Sequence, residues 1–221
     1  MNGLLRCVAT CALALTVSTA LALGAPAGES PHEMVRLATE SVMAEVDEAQ
    51  AYAETDPDRF YNNLQEILDS IVDFRGFARS VMGDYASSER YRSLDKEGRA
   101  QLRDQLDRFT EVMRQGLVRT YGKGLLAFAG SRIEVPDLSD EEAARSRVAV
   151  RQLIYDDGGA PYVLVYHMGK SRDEGWKLRN MVIEDVNLGE IYRSQFESAA
   201  RKYEGDINQI IDSWAVVEID Q

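Results

Sequence analysis

The chain has 221 residues and a formal charge of −12 from 37 acidic and 25 basic side chains, enough for one well-buried domain. That charge argues against nucleic acid, whose phosphates demand a cationic footprint. With no polybasic cluster, it also argues against residence on an anionic membrane surface.

The first stretch, MNGLLRCVATCALALTVSTALALGAPAG, has a short n-region with Arg6 and an apolar run from Val8 to Val17. Small residues follow, with Ala20-Leu21-Ala22 fitting an A-x-A cleavage site and Ala25-Pro26-Ala27 as an alternative. The run falls short of the ~20 apolar residues that span a bilayer. Residues 1–22 are therefore expected to be a cleaved signal peptide and residues 23–221 one mature domain, with an ordered core over about 31–213. Cys7 and Cys11 both leave with the signal, so the mature chain has no thiol for a disulfide, a nucleophile or a thiolate metal site. That suits a bacterial periplasm. Loss of Arg6 leaves 24 basic against 37 acidic side chains, or −13.

In the mature chain a first helix is expected from Pro31 to about Asp47. A second starts at Asp56-Pro57, with the aspartate as N-cap and the proline in the first helical position. DFRGFARSVMGDY carries a short apolar helical face, Phe74, Phe77, Ala78, Val81 and Met82, ending near Gly83. Between Ser93 and Phe128 the residues Leu102, Leu106, Phe109, Met113, Leu117, Tyr121, Leu125 and Phe128 repeat at an average close to 3.6. Gly122 and Gly124 are expected to break this run into a long helix and a shorter one at an angle. After Gly130 the period changes. SRIEVP, SRVAVRQLIY, PYVLVYHMG and GWKLRNMVIE read as four strands with short joins, hence an antiparallel meander. Leu188 to Tyr203 and Asp206 to about Trp214 return to helix. Helices, then sheet, then helices means α+β.

Catalytic signals are sparse. The chain has two histidines, His32 beside Pro31 at a terminus where disorder is common and His167 on a strand, pointing away from Tyr166. There is no G-x-S-x-G, H-E-x-x-H or P-loop. The acids Asp137, Asp140, Glu141 and Glu142 lack calcium-loop spacing and read as a solvated run. No metal or cofactor is expected. What the sequence holds in quantity is apolar surface, and at Met181-Val182-Ile183 both faces of a strand turn apolar together.

VDFRGFARSVMGDY (72–85), LVRTYGKGLLAF (117–128), VLVYHMGKSRDEGWKLRNMVIEDVNL (163–188) and YRSQF (192–196), in that order, closely resemble the MlaC family of periplasmic phospholipid-binding proteins, the toluene-tolerance auxiliary transport components. The resemblance covers roughly residues 31–213. The chain departs from the family's pattern at Ala86-Ser87-Ser88, where a tryptophan is usual, at Asn180, where an aspartate is usual, and at Asn187, where serine is common.

The resemblance implies a curved antiparallel four-stranded sheet, nuclear-transport-factor-like, packed with several helices around an apolar cavity that takes acyl chains. It implies no catalysis. The ligand would be phospholipid. The partners would be an outer-membrane lipoprotein–porin complex and an inner-membrane ABC transporter with its membrane-anchored binding component, and the carrier would be a monomer that maintains outer-membrane lipid asymmetry. It assigns a lipid-lining role to Phe77, Val81, Met82, Phe109, Met113, Leu117, Tyr121, Leu125, Tyr166, Trp176, Leu178, Met181, Ile183, Tyr192 and Phe196, and leaves Arg193 a structural role. The Met181–Ile183 end would then show one face to lipid and the other to helices. The alternative is an isomerase or hydrolase on the same scaffold, with a buried carboxylate acting beside Tyr121 or Tyr166. A binder of small polar solutes is disfavoured, because the alternating pattern of two α/β lobes is missing.

Overall fold

The computed structural model describes residues 30–137, 139, 141, 145–155, 159–171 and 175–215. The expected signal peptide, the carboxylates Asp140 and Glu142 and the last six residues lie outside them. Among the described residues, no helix is long and apolar enough to cross a membrane.

Helix starts follow capping chemistry. Helix α1 (Pro31–Ala49) opens on Ser30, whose side chain accepts from the Glu33 amide. Helix α2 (Pro57–Asp69) opens on Asp56 with Pro57 at N1, and α3 (Phe74–Met82) on Asp73. In each, the cap oxygen satisfies an amide that has no partner within the helix. His32 is not at a frayed end: its Nε2 lies 2.8 Å from the Val135 carbonyl oxygen, tying α1 to the sheet. A short helix that was not anticipated, α4 (Ser88–Ser93), follows a 3₁₀ turn at Gly83–Ala86.

Helix α5 (Lys96–Leu125) is a single 30-residue helix, ending in a 3₁₀ turn at Leu126–Phe128. The break expected at Gly122 and Gly124 does not occur, and the reason is packing. A Cβ on Gly122 would sit 2.9 Å from Leu64 Cδ2 and 3.4 Å from the Tyr61 ring, so this glycine is where α2 and α5 cross closely. At Gly124 a Cβ would meet nothing within 4 Å. The two glycines should therefore respond oppositely to alanine. Gly124→Ala should stabilise by about 0.5–1 kcal/mol through helix propensity alone. Gly122→Ala should lose about 1 kcal/mol net, because crowding Leu64 outweighs the same gain. Urea denaturation of the pair checks this.

The sheet has five strands rather than four, all antiparallel, in the order β1 (Arg132–Glu134), β2 (Arg147–Tyr155), β3 (Tyr162–Ser171), β4 (Gly175–Ile183) and β5 (Val186–Asn187). The fifth is a two-residue return, with Val186 opposite Ile183, that leads directly into α6 (Leu188–Lys202). Helix α7 (Ile207–Asp212) closes the described chain.

Register assigns the faces. Val150 lies opposite Tyr166 and Tyr166 opposite Met181, while Gln152 lies opposite Leu164 and Leu164 opposite Ile183. Residues directly opposite share a face, and this one faces the helices. An irregularity at His167/Met168 takes Arg179 out of the pairing. Beyond it, the Leu178 amide donates to the Ile71 carbonyl and the Leu178 carbonyl accepts from the Asp73 amide. The α2–α3 link thus covers a stretch of β4 that β5 is too short to reach, protecting an open sheet edge. Arg179 pairs with Asp73 nearby.

Three apolar clusters hold the layers together. The first joins α3, α5, α6 and α7 around Phe109, Tyr192 and Phe196. The second joins α1 and α2 to the sheet through Met34, Val35, Ile67, Ile71, Val148, Val150, Met168 and Trp176. The third lies where α1, α2, α3 and α5 meet, around Val46, Phe60, Leu64, Phe74 and Val118.

Candidate ligand site

The fifteen side chains singled out from the sequence separate by burial. Phe77, Val81, Met82, Phe109, Met113, Tyr192 and Phe196 are buried in the first cluster. Phe196 is central there, with ring centroids 5.3 Å from Phe109, 5.6 Å from Tyr85 and 6.0 Å from Trp214. Trp176 is buried in the second cluster, against α1 and α2.

The remaining seven, Leu117, Tyr121, Leu125, Tyr166, Leu178, Met181 and Ile183, are all half-buried. They lie on the margins of the clusters. Leu117 packs against the first and the third, Tyr121, Met181 and Ile183 against the first, Leu125 against the third, and Tyr166 and Leu178 against the second. Three of them lie on the C-terminal half of α5 and four on the helix-facing side of β3 and β4, and this set of cluster margins is the candidate seam. The long stripe of α5 thus begins in closed core at Leu102 and Phe109 and ends in partly accessible apolar surface from Leu117 onward.

The sequence reading missed two further half-buried side chains, one on the same sheet face and one on α1. Leu164 stands between Gln152 and Ile183 on the same sheet face and is half-buried. Its alternation with Tyr166 two positions on was the available signal. Val42 of α1 packs against both the second and third clusters, but helical spacing gives no hint of a double role.

The polar atoms near the seam are engaged. The Tyr166 hydroxyl donates to Gln152 Oε1 (2.7 Å), and Gln152 Nε2 donates to Thr39 Oγ1 (2.5 Å), whose own hydroxyl donates to the Val35 carbonyl (2.7 Å). This chain joins the sheet to α1. The hydroxyls of Tyr121 and Tyr192 lie 2.9 Å apart. Burial pushes the Tyr166 phenol up, and it pushes Tyr192 up with Tyr121 adding to the effect. Tyr121 is raised by burial, against the opposing effect of its bond to Tyr192.

A phenol whose folded value is raised holds a proton that the unfolded chain releases from about pH 10. The stabilisation is complete below that pH and is lost as pH rises through the folded value. Stability should therefore fall above about pH 10. Tyr166→Phe should flatten that fall by up to about 1.4 kcal/mol per pH unit, measured by urea denaturation from about pH 8 to about pH 11.

At the β4–β5 return, Asn180 Nδ2 donates to Asn187 Oδ1 (2.8 Å) and Asn180 Oδ1 accepts from the Gly189 amide (3.0 Å). Asn187 also caps α6 through the Glu190 amide. Two of the three departures from the pattern of the resembled family therefore bond one another and hold the turn that leads into α6. Arg193 bonds Glu197, and its guanidinium lies against Gly83, a glycine with φ of 55°. His167 is exposed on the sheet side away from the helices.

Two open depressions lie away from the seam. One, about 440 Å³, runs between α1 and Gly130–Val135, with Arg36, Glu40 and Asp47 on its rim. The other, about 390 Å³, lies beside Arg79 and Arg193. Among the described residues, no group of three or more histidines, cysteines or acids could hold a metal ion. The one buried carboxylate among them, Glu45, accepts from the Tyr52 hydroxyl and from Asn63 Nδ2 (3.0 Å) between α1 and α2.

Fold and seam together define an α+β protein whose open antiparallel sheet is closed on one side by helices, with apolar side chains lining the junction. The same fold occurs in a phospholipid-binding protein from Ralstonia solanacearum, solved in complex with a phospholipid: the TM-score is 0.68 at 20% identity, covering 83% of this chain and 93% of that one. The chain belongs to the MlaC family, since the family model described as MlaC protein matches residues 36–216. It is also 27% identical over 201 residues to the toluene tolerance protein Ttg2D of Pseudomonas putida, covering 91% of this chain and 87% of that one.

Proposed function

We propose that this chain is a periplasmic phospholipid carrier that takes acyl chains into the seam between α5 and the sheet and leaves the head group near solvent. The observation that carries this reading is that Leu117 and Tyr121 of α5 and Met181 and Ile183 of β4 stay half-buried at the margin of one apolar cluster. Its hydroxyls are satisfied within the protein, which leaves rings and alkyl groups as the surface on offer. Membership of the MlaC family and the phospholipid held by the Ralstonia protein point to the same ligand class.

Burial of acyl chain is worth about 0.8 kcal/mol per methylene, so exposing two chains of about fifteen carbons would cost on the order of 20 kcal/mol. Spontaneous release into water is therefore negligible, and lipid must pass within a docked complex. On this reading the carrier moves lipid between an outer-membrane lipoprotein–porin complex and an inner-membrane ABC transporter, maintaining outer-membrane lipid asymmetry. It needs no catalytic group.

The enzyme alternative finds little support. The phenols Tyr121 and Tyr166 bond Tyr192 and Gln152, and the buried Glu45 is held by Tyr52 and Asn63. Native mass spectrometry of the mature protein, purified without detergent and paired with lipid extraction, tests the proposal. A discrete added mass matching phospholipid is the expected result. A bare polypeptide that stays bare after incubation with liposomes would sink it.

A further inference from the structure

The sheet has a second face. Along β2, Val148, Val150, Gln152 and Ile154 turn toward the helices and are buried, while Arg147, Ala149 and Arg151 turn away and are exposed. Register extends this outer face across three strands: Arg151 lies opposite Val165, and Val165 opposite Val182. Leu153, Val165 and Val182 make a half-buried apolar strip beside the two arginines, and the described helices pack on the other side.

The charge on this face runs against that of the molecule. The chain carries 37 acids against 25 bases. Yet Arg147 and Arg151 have no carboxylate partner among the described residues, whereas two acids at the margins of this face are engaged. Glu134 pairs with Arg132 and accepts from Tyr155, and Glu184 accepts from the Val163 amide. Among the other arginines, Arg36, Arg59, Arg75, Arg108, Arg114 and Arg119 pair with acids, and Arg79, Arg92, Arg99 and Arg103 bond carbonyl or hydroxyl oxygens instead.

We propose that the outer face of β2–β4 is a docking surface for a protein partner whose contact patch carries clustered carboxylates. Arg147 and Arg151 supply the charge, and Leu153, Val165 and Val182 the apolar floor. The inference rests on the carrier reading in one respect, that a carrier must dock and leave. Arginine beside apolar side chains is the composition that interfaces favour.

Strand spacing of about 4.8 Å and a rise of about 3.4 Å per residue give the face an area of roughly 400 Å². That is well below the ~800 Å² per partner of a stable complex, as befits a short encounter. Complementary charge speeds such encounters and excludes wrong partners more than it deepens affinity. An anionic bilayer fits less well. It would gain about 1 kcal/mol per arginine and would repel the surplus acids over the rest of the surface.

The test places a photo-crosslinking amino acid at Ala149 in the full chain, expressed in its own cells. It compares the native arginines with Arg147→Glu/Arg151→Glu and Arg147→Lys/Arg151→Lys, and lipid content is read in parallel by native mass spectrometry. The expected result is a protein adduct whose cross-linked peptide is rich in aspartate and glutamate. Its yield should fall at least about tenfold on charge reversal and much less on lysine replacement, with bound phospholipid and the urea midpoint unchanged. An adduct indifferent to charge reversal would overturn the proposal. So would an adduct with a second copy of the chain, or charge-dependent flotation on phosphatidylglycerol–phosphatidylethanolamine vesicles without a protein adduct. Absence of phospholipid from the unsubstituted protein would count against the carrier reading and leave the docking result to stand by itself.

Discussion

Leu117→Trp should yield a folded protein that has lost most of its phospholipid. Leu117 is half-buried and packs against both the first and third clusters, so an indole there projects into the seam rather than into closed core. Filling apolar space that a ligand must enter costs that ligand about 1–3 kcal/mol, the ordinary cost of overpacking. The fraction of carrier loaded in competition with liposomes should fall about tenfold or more. Native mass spectrometry reads that fraction, and circular dichroism checks the fold. Met181→Trp approaches the seam from the sheet, and Met181 lies across the pairing from Tyr166. If both variants fold and keep their lipid, the seam is not where acyl chains lie.

Phe196→Ala should cost about 3–5 kcal/mol of stability, a large share of the ~5–15 kcal/mol typical of a domain. Phe196 is 0% exposed, and its ring packs against Tyr85, Phe109 and Trp214 from three separate elements. No single neighbour can move to fill the space. The same truncation at Phe128, whose half-buried ring meets Tyr162 at 5.6 Å, should cost only about 1 kcal/mol, because less apolar area leaves water on folding. Urea midpoints of the two variants measure the contrast. A loss at Phe196 as small as that at Phe128 would mean that the first cluster is loosely packed.

Together the two substitutions separate roles that sequence periodicity merges. Phe196 and Leu117 both lie on amphipathic helices with ordinary helical spacing, and each could have been core or ligand wall. Met113 and Leu117 are one turn apart on the same stripe of α5, yet the first is fully buried and the second is not. The difference comes from what faces them. Met113 packs among α3, α6 and α7, and Leu117 stands where the first and third clusters meet.

Local chemistry sufficed for most of the elements, though not for the short α4, the two-residue β5 or the unbroken α5. Ser30, Asp56, Asp73, Asn187 and Asp206 cap helices because a short polar side chain can bond an unpaired amide. Alternation placed His167 on the sheet face opposite Tyr166 because the strand period is two.

Long-range packing decided what local rules could not. Gly122 reads as a breaker along the chain, but Leu64 of α2 crosses there and the helix continues. The two-residue strand β5 pairs with the end of β4, and Asn180 and Asn187 bond across that return, a contact that no local pattern announces. The doubly apolar Met181-Val182-Ile183 was legible as a feature, but the expectation of lipid on one face and helices on the other fails: register sends Met181 and Ile183 to the helix side and Val182 to the outer face beside Arg151 and Val165. The sequence by itself determined where most helices and strands lie and which family the chain resembles. Tertiary structure alone decided which apolar side chains close on one another and which stay partly open. A residue's burial depends on neighbours brought from distant parts of the chain, and no local period records them.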